Sequence, residues 1–262
     1  MQDPNETKSL TSFKFLAFDI YGTLIDWESG IVSHLSPLVS QLPEDDPLKK
    51  DRVTLSKKFN VIEGSIQAEH PQLEYSKVLA LVYSGLAKEL GVQADSKEAE
   101  EFGESVGTWA AYPDTVEAMK ILGKYYKMAP LSNVDRASFG RTLAGPLNGV
   151  EFSAIYTAQD IGSYKPSLKN FHYLIEHVKD EFGIEKNEIL LTAHSLFHDH
   201  VPAKKMGLHS AWISREGADS GMMGSMEELV GSQQVGFGWT FKTLGDMARE
   251  VERAFKEEKE GR

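Results

Sequence analysis

Hydrophobic positions change rhythm twice along this chain. Residues 13–19, FKFLAFD, are mostly apolar and close on an aspartate, with Gly22 three positions on. A short apolar run bounded by a glycine predicts a buried strand. From about 28 to 108 the spacing becomes three and four. SGIVSHLSPLVSQL, DRVTLSKKFNVIEGSIQAE and YSKVLALVYSGLAKEL each predict a helix with one apolar face, punctuated by Pro43, Pro47 and Pro71. After Pro113 strands and helices alternate. Helix TVEAMKILGKYY precedes strand KMAPLSN, strand SAIYTA precedes helix SLKNFHYLIEHV, strand EILLTAHS precedes helix VPAKKMGL, and strand SAWIS follows. Such alternation predicts an α/β fold, a Rossmann-like parallel sheet with helices on both faces.

The helix-only block therefore reads as an insertion after the first strand. The expected division is a flexible tail over 1–12, an α/β core made of 13–28 and 110–262, and a helical cap over 29–109. Within the core, GADSGMMGSMEELVGSQQ (217–234) reads as a mobile loop, and the last twenty residues as a solvated amphipathic helix.

Composition narrows the function classes. A chain of 262 residues can bury a large core, and its formal charge of -11 argues against a nucleic-acid binder. With no cysteine there is no disulfide, thiolate nucleophile or Cys-based zinc site. No apolar run reaches about 18 residues, so no membrane partner is expected. The opening MQDPNETKSLTS lacks the apolar centre of a signal peptide. The expectation is a cytoplasmic protein acting on a small molecule.

Ligands of parallel sheets bind beyond the carboxyl ends of the strands. Four of the predicted strand ends carry chemistry: Asp19; Ser132 with Asn133; Lys165 in GSYKPSL; and His194, Ser195 and Asp199 in TAHSLFHDH. Gly22 lets the chain turn after Asp19, and Thr23 can offer its hydroxyl to that carboxylate. Ser132, Asn133 or Ser195 alone reads as a helix cap. Asp19 with Lys165 reads as a nucleophile and its charge partner.

The order DxYGTLxD, LSN, YKP, HSxxxDxxxAKKMGL resembles the haloacid dehalogenase superfamily over nearly the whole chain, including a helical cap between the first two motifs. Phosphatases of that superfamily carry a second aspartate two residues after the nucleophile; here the position is Tyr21. Their fourth motif holds magnesium with acids; here His194 stands in place of one, and Asp199 remains. Magnesium wants hard oxygen ligands in octahedral geometry, so no metal and no cofactor are expected. The resemblance is to the 2-haloacid dehalogenases, which implies that Asp19 attacks the halogen-bearing carbon and that water then hydrolyses the ester. It further implies that Lys165 holds Asp19 ionised, that Thr23, Ser132 and Asn133 orient nucleophile or substrate, and that Asp199 anchors Lys165 or activates water. A homodimer is common in such proteins.

Several positions depart from that pattern. Where those dehalogenases present a halide-binding arginine, this chain has SKKFNVIEG, with Asn60 near the position and Arg52 the only arginine of the block. Phe171 and Leu196 also replace polar residues of the pattern. Tyr21, His194, Ser195 and Asn60 are expected at the substrate, with His194 a candidate general base. Trp27 and Trp109, near the two ends of the block, read first as packing residues and second as pocket walls. His194, His198 and His200 suggest a metal site only weakly, because two of them flank a helix start on different faces. The rival functions are a magnesium-dependent phosphatase and a protein that uses the cleft for another reaction or for binding alone.

Overall fold

The computed structural model describes residues 8–215, 229 and 231–261. The first strand, β1 (Phe15–Phe18), is buried along its whole length. Leu16 and Phe18 face one apolar cluster while Phe15 and Ala17 face the other, as the two-residue period of a strand requires. Both faces are thus covered, and each large side chain stabilises the fold by about 1.5–3 kcal/mol.

Helices alone follow. They are α1 (Trp27–His34), α2 (Ser36–Ser40), α3 (Arg52–Glu69), α4 (Tyr75–Leu90) and α5 (Ser96–Ser105). The first two were expected as one helix, but the chain breaks at Leu35 and Pro37 occupies the first turn of α2. Asp26, Asp51 and Asp95 cap the starts of α1, α3 and α5 with their carboxylates. Helices α4 and α5 pack so closely that a Cβ on Gly103 would lie 2.1 Å from the Ser76 carbonyl oxygen.

The chain then alternates. Helix α6 (Thr115–Leu122) leads to β2 (Lys127–Ser132), α7 (Arg136–Ala144), β3 (Tyr156–Thr157), α8 (Ala158–Ile161), α9 (Leu168–Phe182) and β4 (Ile189–Ala193). Next come α10 (Val201–Met206), β5 (His209–Ile213), β6 (Trp239–Phe241) and α11 (Leu244–Lys259). All six strands pair in parallel in the order β3-β2-β1-β4-β5-β6, an α/β Rossmann-like fold. Strand β1 lies between β2 and β4, so the strand ends that carry polar residues are neighbours.

Sequence periodicity missed α7 and β6, and it made β3 too long: only Tyr156 and Thr157 pair. The end of the expected tail is not loose. Leu10 is buried, and its carbonyl accepts a hydrogen bond from Tyr126 Oη at 3.1 Å. Nor is α11 simply solvated, because Leu244, Met247, Ala248 and Val251 bury one face of it. The mobile loop expected over 217–234 falls mostly outside the described residues. No described helix is long and apolar enough to cross a membrane.

Candidate active site

The carboxyl ends of β1, β2 and β4 converge on one ion cluster. The chain leaves β1 at Asp19 and turns sharply, with Gly22 at φ 96 and its N–H donating to Ile25 at 2.8 Å. The turn brings Thr23 back beneath Asp19. Thr23 Oγ1 donates to Asp19 Oδ2 at 2.7 Å and accepts the backbone N–H of His194 at 2.9 Å. Arg215 clamps the same turn from below: its guanidinium donates twice to the Thr23 carbonyl, at 2.9 and 2.7 Å, and pairs with Asp114 at 2.6 Å.

Lys165 Nζ lies 2.9 Å from Asp19 Oδ1 and 2.8 Å from Asp199 Oδ1. The side chain of Asn133 pins the lysine's backbone at both polar groups: Oδ1 accepts from Lys165 N at 2.7 Å and Nδ2 donates to Lys165 O at 3.0 Å. Asp199 sits in a wide π-type turn over 196–200, capped by Ser195, whose Oγ accepts the N–H of His198 at 3.1 Å. Such turns favour functional sites because the extra residue re-aims a side chain.

Burial alone would lower the pKa of Lys165, yet Asp19 and Asp199 outweigh it and hold the ammonium above its ordinary value. Of the two acids, Asp199 is pushed up, first by burial and then by the charge of Asp19. One ammonium cannot compensate two buried carboxylates fully, and the more enclosed one gives way. Asp199 Oδ2 and Ser132 Oγ are buried with no hydrogen-bond partner among the described residues.

These groups open into a narrow cavity of about 70 Å³ between the strand ends and the helices α3 and α4. Asp19, Lys165, Asp199, Ser132, Asn133 and Ser195 form its floor, and Tyr21, Trp27 and Asn60 line it as expected. His194 is not where it was expected, and Trp109 keeps the packing role read for it first, not the pocket wall. The ring of His194 turns away from the cavity, and its Nδ1 donates to the Ile213 carbonyl at 2.8 Å. Trp109 is 2% exposed and packs against Gly30, with its indole N–H on Ser105 Oγ at 3.1 Å. His198 takes the place expected of His194, and burial brings its imidazole down to about 4, so it is neutral at physiological pH. His200 is structural, bridging Ala193 O and Ser210 Oγ.

The other wall contains residues the sequence did not flag: Glu63, Gln67 and Tyr75. Tyr75 Oη donates to Glu63 Oε1 at 2.6 Å. The available signal was the polar set Asn60, Glu63 and Gln67, spaced by three and four along one face of α3.

Magnesium does not fit the donors at this site. The ammonium of Lys165 already bridges Asp19 and Asp199, Tyr21 Oη bonds to Thr142 Oγ1 at 2.8 Å instead of facing Asp19, and His194 brings no acid to the site. Among the described residues no group of three acids or imidazoles is placed to hold a metal ion.

Comparison with known proteins agrees with this architecture. Residues 13–191 match the haloacid dehalogenase-like hydrolase family. A defluorinating L-2-haloacid dehalogenase superposes with a TM-score of 0.70 at 18% identity, covering 94% of this chain and 98% of that one. The L-2-haloacid dehalogenase of Xanthobacter autotrophicus gives 0.69 at 19% identity, covering 92% and 98%. A HAD-hydrolase of Bacillus subtilis bound to magnesium gives 0.66 at 17% identity, covering 92% and 99%. Likeness at these identities shows the fold alone, which the dehalogenases share with a magnesium-bound hydrolase. No curated protein matches the sequence.

Proposed function

The chain belongs to the haloacid dehalogenase-like hydrolases, and on that premise we propose a metal-independent hydrolase in which Asp19 attacks a carbon bearing a leaving group. The chemistry is of the 2-haloacid dehalogenase type, with halide displaced from a short halogenated molecule. One observation carries the reading: Asp19, at the cavity floor, is held through Oδ1 by Lys165 and through Oδ2 by Thr23, with Tyr21 and not a second acid two residues on.

The proposed steps use that geometry. The carboxylate of Asp19 forms a C–O bond to the substrate carbon as the carbon–halogen bond breaks, leaving an ester and a halide ion. Water then adds to the aspartyl carbonyl carbon, and the acyl C–O bond breaks to release the alcohol and restore the carboxylate. Lys165 holds a fixed cation beside the carboxyl group that takes up negative charge during that addition. Asp199 lines the same cavity with its unpartnered Oδ2, and its raised pKa suits it to accept the proton of the water. Ser132 Oγ supplies a polar contact for the substrate.

The test uses enzyme in excess in ¹⁸O-labelled water, with 2-chloropropionate, 2-chloropropionamide and 2-chloropropylammonium as probes. Chloride release from at least one of them is expected to fall about 10³-fold or more in Asp19→Asn. The first turnover should place the label in Asp19 and not in the product. Label found directly in the product, or no chloride release that depends on Asp19, overturns the reading.

A further inference from the structure

Positive charge is what this cavity lacks. Lys165 is the only lysine or arginine among the described residues that line it, and two carboxylates already hold it. His198 is neutral. The basic residues of α3 lie elsewhere: Arg52 and Lys57 are exposed, and Lys58 pairs with Glu89. Outside the described residues, 1–7, 216–228 and 230 contain no lysine, arginine or histidine, which leaves the terminal Arg262 as the one cationic side chain there.

Glu63 faces into the cavity from the opposite wall. Its Oε1 is fixed by Tyr75, while Oε2 takes no hydrogen bond from any described residue. Asn60 and Gln67 flank it with amide groups on the same helix face. A substrate bearing a carboxylate would add a negative charge beside Asp19 and drive the half-buried Glu63 to its neutral form, at a place where repulsion is less screened than in bulk water. A substrate bearing an ammonium would meet a carboxyl oriented to accept its proton donors.

We infer that the cavity takes a small primary amine, bound as its ammonium against Glu63, and not the carboxylate of a haloacid. The inference rests on the reading of Asp19 as nucleophile, because that reading makes this cavity the substrate site. The ammonium donates to Glu63 Oε2, and the carbon to be attacked then points toward Asp19 on the floor. Burial pushes the Glu63 carboxyl up to about 7, and a bound ammonium would hold it ionised.

Unreactive analogues separate recognition from turnover. Propylammonium, propionamide and propionate are alike in size and offer Asp19 nothing to displace. Calorimetric or NMR titration of the intact protein should rank them in that order. About tenfold or more is expected between the first and the last, the low end of what one charge-assisted hydrogen bond contributes. Glu63→Gln keeps the shape and the Tyr75 bond, and should weaken propylammonium about tenfold while leaving propionamide within about twofold. Propionate or propionamide binding as tightly as propylammonium overturns the inference. So does propylammonium binding that Glu63→Gln leaves unchanged, and so does a failure of all three to bind. None of these ligands reacts, so this result stands apart from the labelled-water experiment, and either reading can fail alone.

Discussion

The two walls of the cavity are built on different terms. On the sheet side the charged groups are tied to one another and to the backbone: Asp19 to Lys165 and Thr23, Thr23 to the His194 backbone, Lys165 to Asp199 and Asn133. On the helical side Glu63 has a single partner, Tyr75. The difference teaches where precision is needed. Displacement at carbon tolerates little error in the position of the attacking oxygen, and strand ends joined by ladder hydrogen bonds provide that rigidity. Recognition of one polar group tolerates more, so a helix face and one tyrosine suffice.

The sharpest way to break the comparison is Lys165→Met. If the sheet wall is one interlocked unit, removing its cation leaves two carboxylates facing each other without compensation. Turnover is expected to fall about 10²–10³-fold or more in steady-state kinetics. Stability in urea should also drop, by about 3–5 kcal/mol near neutral pH and by less at pH 5, where one acid is protonated. Retention of near-normal rate would show that the cluster is structural.

A second variant probes how the walls are held together. Asp135 caps α7 through Ser138 N at 2.8 Å and reaches across to Ser76 N, at the start of α4, at 3.0 Å. This buried carboxylate therefore joins the sheet layer to the helices that carry the recognition wall. Asp135→Ala should cost about 2–3 kcal/mol in urea denaturation, a lost cap plus a stranded buried N–H. A loss under about 0.5 kcal/mol would mean that the two layers do not depend on this link.

The smallest effect is expected at Glu63, and it has a definite sign. Its folded pKa is raised to about 7, so the folded state binds the proton more tightly than the unfolded chain does. The resulting stability is complete below the unfolded value near 4.5 and is lost as pH rises through about 7. The stability of the wild type relative to Glu63→Gln should therefore decline by about 1–3 kcal/mol between pH 4.5 and 7.5. A flat difference curve would place the carboxyl in water and weaken the case for a buried recognition wall.

The same contrast governs what could be read from the sequence. Asp19, Thr23, Asn133, Lys165 and Asp199 were legible because each closes a strand or opens a loop beside one, where apolar periodicity stops abruptly. Glu63, Gln67 and Tyr75 were not, because a polar face on a helix looks the same whether it meets solvent or a cavity. His194 was misplaced for a related reason. Its position after β4 is correct, but the Ile213 carbonyl on the neighbouring strand captures its ring, and no pattern within one segment reveals that. Strand β6 escaped because WTF is only three residues long and partly exposed, too short for its alternation to stand out. The end of the tail, residues 8–12, was misjudged because Leu10 is buried there and Lys8 and Thr11 add side-chain hydrogen bonds.

The central place of β1 also constrains how the protein is made. Asp19 and Asp199 are separated by 180 residues of sequence, so at about 5–20 residues per second a ribosome needs roughly ten to forty seconds to add the second after the first. Strand β1 has neither of its final neighbours until β2 is complete at Ser132, and it lacks β4 until Ala193. Until then its FLAF segment keeps an unpaired edge on the nascent chain, open to chaperones or to other unfinished copies. Catalytic competence therefore arrives near the end of synthesis, in one step, when β4 docks and Lys165 first finds both of its carboxylates.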